Sequence, residues 1–163
     1  MSKAREEGTL TSVIRSAAGG FSLICLLAAA CSGIESRTYS FATLAEAREA
    51  GAIEQGLVPE GLPPGTREIR QAYVPGTAQR WGIINFPPEE GDVLRAMLDP
   101  DELPLDGYRC DIPARIEWWP IVLRGSLDDE RIRLTGLRAY RTQDGALIFA
   151  VNWSQGRAYY WPG

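Results

Sequence analysis

The C-terminal end of the chain has the clearest pattern of apolar and polar positions. Three apolar and aromatic segments, residues 137–142, 147–153 and 157–161, are separated by turn sequences at 144–145 and 154–156. Each turn contains a glycine, and a short glycine-containing turn between two apolar runs is typical of a β-hairpin. The sequence therefore predicts a three-stranded antiparallel meander.

A second hairpin and a capped helix are predicted upstream. Polar and apolar residues alternate over 67–74, residues 80–86 are predicted as a second strand, and Pro75-Gly76-Thr77 supplies the turn between them. Before them, Thr43 and Glu46 form the capping-box pattern, in which each side chain bonds to the backbone near the other. The helix formers that follow predict a short helix at this point.

The middle of the chain combines one more helix with irregular segments. The prolines and glutamates at 87–90 are typical of a helix start, and the apolar positions 93, 94, 97 and 98 have helical spacing. Residues 101–114 are predicted to be irregular. Residues 118–123 are apolar but contain a proline, so they form either a short edge strand or a packed loop.

Together these elements predict an α+β fold. We expect a small antiparallel sheet of about five strands, which includes the C-terminal meander, with two short helices on one face. A single head domain is expected over residues 41–163. A chain of this length supports one hydrophobic core without disulfides or metals as staples.

An apolar run near the N-terminus leads to a cysteine. Residues 21–30 are mostly apolar, end in three alanines and are followed by Cys31. About 20 residues are needed to span a bilayer, so this run is too short to span and has the length of a signal-peptide core. The pattern resembles a bacterial lipoprotein signal peptide. A buried helix with an ordinary cysteine and a plain secretory signal are the two alternatives.

The lipoprotein resemblance implies that residues 1–30 are removed and that Cys31 becomes the acylated first residue. Two acyl chains make a stable anchor, so Cys31 alone would hold the protein on the lipid bilayer without a transmembrane helix. Residues 31–40 would be the lipidated cysteine and a short polar tether. The implied location is the periplasmic side of the cell envelope. Ser32 is not the aspartate associated with inner-membrane retention, which favours the outer membrane.

Composition excludes several classes of function. The chain has a net charge of −4, whereas nucleic-acid binders carry a concentrated basic surface, so no nucleic-acid partner is expected. It contains no histidine, which excludes Ser-His-Asp and Cys-His catalysis and histidine-based zinc sites. The acidic clusters at 99–106 and 128–130 lack the spacing of a calcium loop, and a solvated loop or a helix start at Asp128 is expected instead. No cofactor, metal site or catalytic residue is predicted.

Cys110 is the one thiol that remains after the expected processing. A single cysteine cannot form an internal disulfide, so three states are open to it: burial as a small apolar side chain, an intermolecular bridge, or a reactive thiol. Burial is the expected state.

The aromatic residues are the remaining candidates for function. The five tryptophans include the adjacent pair Trp118 and Trp119, and Tyr159 and Tyr160 form a similar pair. Neighbouring residues of an extended chain point to opposite faces, so one member of each pair can be exposed. Core packing is one interpretation of these four residues. The other is a contact surface of aromatic and arginine side chains for an envelope protein or a glycan.

These observations predict a membrane-anchored envelope lipoprotein whose head is a non-enzymatic binding module. The alternative is an envelope hydrolase that uses paired carboxylates, as glycoside hydrolases do. Without histidine, acid–base catalysis would fall to carboxylates, and these cluster in acidic loops rather than in apolar surroundings that tune a pKa. The binding module is therefore the favoured prediction.

A series of short motifs runs in order along the head. The motifs are Ala45-Glu46-Ala47, Ala50-Gly51-Ala52-Ile53, Gly56-Leu57-Val58-Pro59, Leu62-Pro63, Ile69, Trp81, Phe86, Trp118-Trp119-Pro120 and Gly156-Arg157-Ala158-Tyr159-Tyr160-Trp161. In this order they resemble a group of small bacterial proteins described by the YbbD head domain, from about Tyr39 to Trp161. One departure is Gly76-Thr77, where an aspartate is expected before the threonine. The resemblance implies one continuous domain and no particular chemistry.

The anchor is tested by Cys31→Ala. Because only the thiol accepts the lipid, the variant is expected to move from the membrane to the soluble fraction or to remain an unprocessed precursor. Cell fractionation and the intact mass of the protein measure both outcomes. An unchanged mass together with unchanged partitioning into detergent would contradict the lipoprotein assignment.

Overall fold

The computed structural model describes residues 36–113 and 115–163, so Cys31 and the apolar run before it lie outside the described residues. Its main element is a six-stranded, fully antiparallel sheet in the order β1-β2-β3-β8-β7-β6. A separate two-stranded sheet pairs β4 with β5. The strands are β1 Arg37–Thr43, β2 Arg67–Tyr73, β3 Arg80–Asn85, β4 Arg109–Cys110, β5 Gly125–Ser126, β6 Arg138–Arg141, β7 Leu147–Asn152 and β8 Arg157–Pro162.

The six-stranded sheet consists of two three-stranded halves. Strands β1 to β3 form the first half and β6 to β8 the second, and the halves meet where β3 pairs with β8. The predicted hairpin and the predicted C-terminal meander are both confirmed. The α+β prediction is confirmed in outline, because the sheet is antiparallel and carries a few short helices: α1 Leu44–Glu49, α2 Gly91–Arg95 and α3 Asp129–Leu134. In the described part of the chain no helix is long and apolar enough to cross a membrane.

Helix α1 begins with the predicted cap. The Thr43 hydroxyl accepts a hydrogen bond from the Glu46 backbone N–H at 3.2 Å. The Glu46 carboxylate accepts one from the Ala42 N–H at 2.8 Å, one residue earlier than in the usual capping box. Gly51 follows the helix with a φ of 70°, a left-handed conformation that glycine adopts without strain. These local interactions explain why the sequence predicts this helix correctly.

Helix α2 is shorter than predicted. A 3₁₀ turn at Pro88–Glu90 precedes it, and the helix ends at Arg95 instead of continuing to residue 98. Leu94 and Leu98 are buried as expected, but Val93 is 42% exposed. After the helix, the Met97 and Leu98 N–H groups donate three residues back, to the Leu94 and Arg95 carbonyls at 3.1 Å, and the Asp99 N–H donates to the Arg141 carbonyl of β6 at 2.8 Å. The last turn is therefore tightened, and pairing with the edge of β6 follows directly after it.

Helices cover both faces of the sheet, not one face as predicted. On the first face, α1, α2 and the irregular residues 51–65 pack over one apolar cluster. On the second face, α3 and residues 103–113 and 115–127 pack over another. Strand β7 lies between them, and all six of its residues are buried. A strand that is buried on both faces requires cover on both sides of the sheet, which explains the additional helix α3.

The N-terminal boundary of the sheet was also predicted wrongly. Residues 37–40, assigned to the tether, belong to β1, which pairs with β2 from Arg37 opposite Tyr73 to Thr43 opposite Arg67. Most residues of β1 are exposed. Tyr39 and Phe41 alternate with polar residues, but two aromatic positions in a short, mostly exposed strand are a weak signal, so the sequence resembles a polar tether.

The segment 118–123, predicted as an edge strand or a packed loop, is a loop with a 3₁₀ turn at Ile121–Leu123. Cys110 lies nearby in β4 and is buried, as expected, with 2% of its surface exposed. Burial raises the pKa of its thiol to about 12. The thiol is therefore neutral at physiological pH, which does not favour a reactive role.

The contact between β3 and β8 depends on a glycine. Gly82 lies directly opposite Tyr160, and the Tyr160 ring occupies the space that a Cβ on residue 82 would need. Tyr160 is fully buried on the first face. An aromatic ring laid over a cross-strand glycine restores the packing that the missing side chain would otherwise lose.

Gly82→Ala is expected to lower the free energy of unfolding by about 1–3 kcal/mol, because the new methyl group overpacks a filled site. Urea denaturation measures the change. The matched control is Gly82→Ala in a Tyr160→Val background, where the ring no longer fills the space and the cost should be smaller. An equal cost in both backgrounds would show that the ring does not exclude the methyl group.

Candidate functional site

The structure separates the four aromatic residues of the predicted contact surface. Trp119 and Tyr160 are core residues, with 2% and 0% of their surface exposed, and they lie on opposite faces of the sheet. Trp118 and Tyr159 are half-buried and reach the surface. The predicted surface is thus reduced to one member of each pair.

Trp119 positions both of the remaining aromatic residues. Its ring packs edge-on against Trp118 at 6.0 Å and against Tyr159 at 5.6 Å between centroids. Its indole N–H donates to the Leu123 carbonyl at 2.8 Å. The Arg124 guanidinium donates to the Trp119 carbonyl and to the Ile116 carbonyl. These bonds stabilise the loop from Ile116 to Arg124. The buried Trp119 ring therefore orients both half-buried rings, Trp118 and Tyr159.

Trp118 and Tyr159 line a groove of about 580 Å³ on the second face, which we call the aromatic groove. Its floor is formed by four adjacent strands, since β1, β2, β3 and β8 are neighbours in the sheet. The other lining residues are Ser40, Phe41, Ala42, Glu68, Ile69, Arg70, Ile83, Asn85 and Arg157.

A chain of hydrogen-bonded polar side chains crosses the aromatic groove. The Arg157 Nε–H donates to the Asn85 side-chain carbonyl at 2.9 Å, and the Asn85 amide N–H₂ donates to the Glu68 carboxylate. Arg157 and Asn85 are directly opposite each other on β8 and β3. Each side chain therefore holds its neighbour in a fixed orientation, which reduces the entropy lost on binding a ligand.

Glu68 has an unusual backbone. Its φ of 52° is the only positive φ at a non-glycine residue in the described part of the chain. The residue lies where the pairing of β2 with β3 shifts register, between Arg67 and Arg70. Such irregularities redirect a side chain, and strained residues of this kind cluster at functional sites. No local signal in the sequence identifies Glu68.

The aromatic groove is locally positive although the whole chain is acidic. Two arginines and one glutamate line it, whereas the chain has a net charge of −4. Arg70 is exposed and takes part in none of the ion pairs between described residues. Its guanidinium can therefore donate to a ligand without breaking an existing pair.

The two acidic clusters of the sequence have structural roles. Asp128 caps α3 by accepting from the Arg131 N–H at 3.0 Å. Asp129 accepts from the Leu105 N–H and forms an ion pair with Arg133, and Asp106 accepts from the Asp129 N–H. The two clusters thus bond to each other and to α3. Within residues 36–113 and 115–163, no group of three or more acidic, cysteine or histidine side chains is arranged to hold a metal ion.

Comparison with known proteins gives one family. Residues 35–83 match the model of the YbbD head domain. The match covers β1, α1, β2 and most of β3, which is less than a third of the chain. The motifs at 118–120 and 156–161, which also contributed to the resemblance, lie outside it. No curated protein and no solved structure matches the chain at a significant level.

Proposed function

We propose that this chain, which contains a YbbD head domain-like segment at residues 35–83, is a lipid-anchored binding protein of the bacterial cell envelope. Acylated Cys31 is the proposed anchor, on the periplasmic side and in the outer membrane more than in the inner. The head is a non-enzymatic module that binds a glycan in the aromatic groove. The choice of a glycan as the ligand depends on the composition of that groove.

The observation that carries the proposal is that two half-buried aromatic rings and a fixed polar chain share one groove. Sugars present C–H surfaces that lie against aromatic rings and hydroxyl groups that both donate and accept hydrogen bonds. Trp118 and Tyr159 supply the rings. Asn85, Glu68 and Arg157 supply donors and acceptors side by side, already oriented.

The charge of the groove favours an acidic glycan. Arg70 and Arg157 outnumber the single carboxylate of Glu68, and a guanidinium binds a carboxylate in a bidentate manner. A glycan with carboxylate substituents is therefore expected to bind more tightly than a neutral one, and added salt should reduce this difference.

The proposed anchor places the groove near the membrane surface. Strand β1 starts at Arg37, six residues after Cys31, so a fully extended connection would reach at most about 20 Å. Ser40 and Phe41 of that same strand line the groove. A lipid-anchored protein would accordingly meet glycans close to the bilayer.

The hydrolase alternative receives less support from the groove. Glycoside hydrolysis uses two carboxyl groups on either side of the scissile bond, whereas Glu68 is the only carboxylate among the described residues that line the groove.

The test measures binding of the lipidated protein, purified in detergent, to insoluble peptidoglycan and to a soluble N-acetylglucosamine tetramer. Trp118→Ala is expected to weaken binding at least tenfold, about 1.4 kcal/mol, without a large change in melting temperature. Arg70→Gln should weaken binding to peptidoglycan more than binding to the neutral tetramer. The matched control is Tyr39→Ala, because Tyr39 is an exposed aromatic residue of β1 that does not line the groove.

Three results would overturn the proposal. Binding that is absent, or equal in Trp118→Ala and the wild type, would exclude the groove as a glycan site. Loss of glycan binding together with specific retention of an envelope protein would favour a protein partner. Release of sugar products, abolished by Glu68→Gln at an unchanged melting temperature, would favour the hydrolase.

A further inference from the structure

A second cavity lies on the first face of the sheet, and it shares no residue with the aromatic groove. Its volume is about 420 Å³. Its walls are the irregular segment 53–60, Arg80 of β3, Met97, and the turn between β6 and β7 at residues 142–147. We call it the hairpin cavity. The size is within the range of small-molecule sites.

Arg80 brings an incompletely paired guanidinium to the hairpin cavity. One terminal N–H₂ group, Nη1, donates to the Gly56 carbonyl at 2.6 Å, which fixes the side chain. The Nε–H is buried and has no hydrogen-bond partner among the described residues. Arg80 is also in none of the ion pairs that those residues form. A buried guanidinium N–H without a hydrogen-bond acceptor is costly, so a ligand whose carboxylate supplies an acceptor would be stabilised there.

Asp144 brings a fixed carboxylate to the same cavity. One of its oxygens, Oδ1, accepts from the Thr142 hydroxyl at 2.6 Å and from the Ala146 N–H at 2.9 Å. These bonds, and to a smaller extent the charge of Arg80, hold the pKa of Asp144 below its ordinary value. The second oxygen, Oδ2, has no hydrogen-bond partner in the described part of the chain. An ionised carboxylate with one oxygen available can accept from an ammonium group.

The two opposite charges do not meet. Arg80 and Asp144 both line the cavity, yet no ion pair forms between them, because each is held by its own hydrogen bonds. The cavity offers one cation, the carboxylates of Asp144 and of the exposed Glu60, and apolar side chains from Ile53, Pro59 and Met97. A molecule with a carboxylate for Arg80 and an ammonium group for the carboxylates complements this arrangement.

We propose that the hairpin cavity binds a small zwitterion, a free amino acid or a short peptide. The ligand carboxylate lies against Arg80, the ligand ammonium lies against Asp144, and the apolar residues contact its side chain. The site is independent of the aromatic groove, so either proposal can fail without the other.

The experiment uses calorimetric titration of the whole protein in detergent. The probes are alanine, dialanine and trialanine, which differ in the distance between their charges, and two blocked forms, N-acetyl-dialanine and dialanine amide. At least one of the three zwitterions is expected to bind, with a preferred length that matches the span from Arg80 to Asp144. Each blocked form should bind at least tenfold more weakly than dialanine if dialanine is the preferred length.

Variants assign each end of the ligand. Asp144→Asn retains an oxygen that can accept from the Ala146 N–H, and it should reduce the preference for a free amino group, while Glu60 remains as the other carboxylate of the cavity. Arg80→Gln should remove the preference for a free carboxylate. Asp101→Asn is the matched control, since Asp101 is exposed and does not line the cavity. If Arg80→Gln does not fold, the comparison of free and blocked peptides on Asp144→Asn still tests whether the cavity binds a zwitterion.

The proposal is wrong if none of the three zwitterions produces heat at millimolar concentrations. It is also wrong if the blocked forms bind as well as the free ones, or if Asp144→Asn and Asp101→Asn behave alike. Unchanged binding of glycans by Asp144→Asn would show that the groove is unaffected.

Discussion

The pairing of β3 with β8 is the interaction on which the rest of the structure depends. These strands join the two halves of the sheet, and two glycines allow them to approach. Gly82 leaves room for the Tyr160 ring, and Gly156, with a φ of 62°, leaves room for the Phe86 carbonyl. The Phe86 N–H donates to the Gly156 carbonyl at 2.7 Å at the end of the pair. Without this junction each half would be a three-stranded sheet with one more exposed edge.

The same junction creates the aromatic groove. The polar chain from Arg157 through Asn85 to Glu68 passes from β8 to β3 to β2 and therefore crosses the boundary between the halves. The family match ends within β3, so Arg157 and Tyr159 come from outside the matched segment. A glycan site at this place would require both halves of the sheet and could not be formed by the matched segment alone.

The irregular segment after α1 is held to the sheet by side chains of the junction. The Tyr160 hydroxyl lies 3.4 Å from the Leu57 carbonyl, and Arg80 donates to the Gly56 carbonyl at 2.6 Å. Burial raises the pKa of Tyr160, so this hydroxyl stays protonated and remains a donor. These two contacts give a segment without regular structure a defined position, and they also fix one wall of the hairpin cavity.

The sequence by itself determined the features that depend on near neighbours: the β2–β3 hairpin, the C-terminal meander, the cap of α1 and the antiparallel α+β class. At Asp128 it left a helix start and a solvated loop as alternatives, and the structure has the helix start. The lipid anchor at Cys31 is a prediction that rests on sequence alone. Only the tertiary structure decided that β1 is a strand, that helices cover both faces, and that Trp118 and Tyr159, not Trp119 and Tyr160, reach the surface. It also decided which polar side chains bond to one another, since Glu68, Asn85 and Arg157 are far apart in the chain. Turns, caps and periodicity are local signals, whereas the face that a residue presents depends on strand pairing between distant segments.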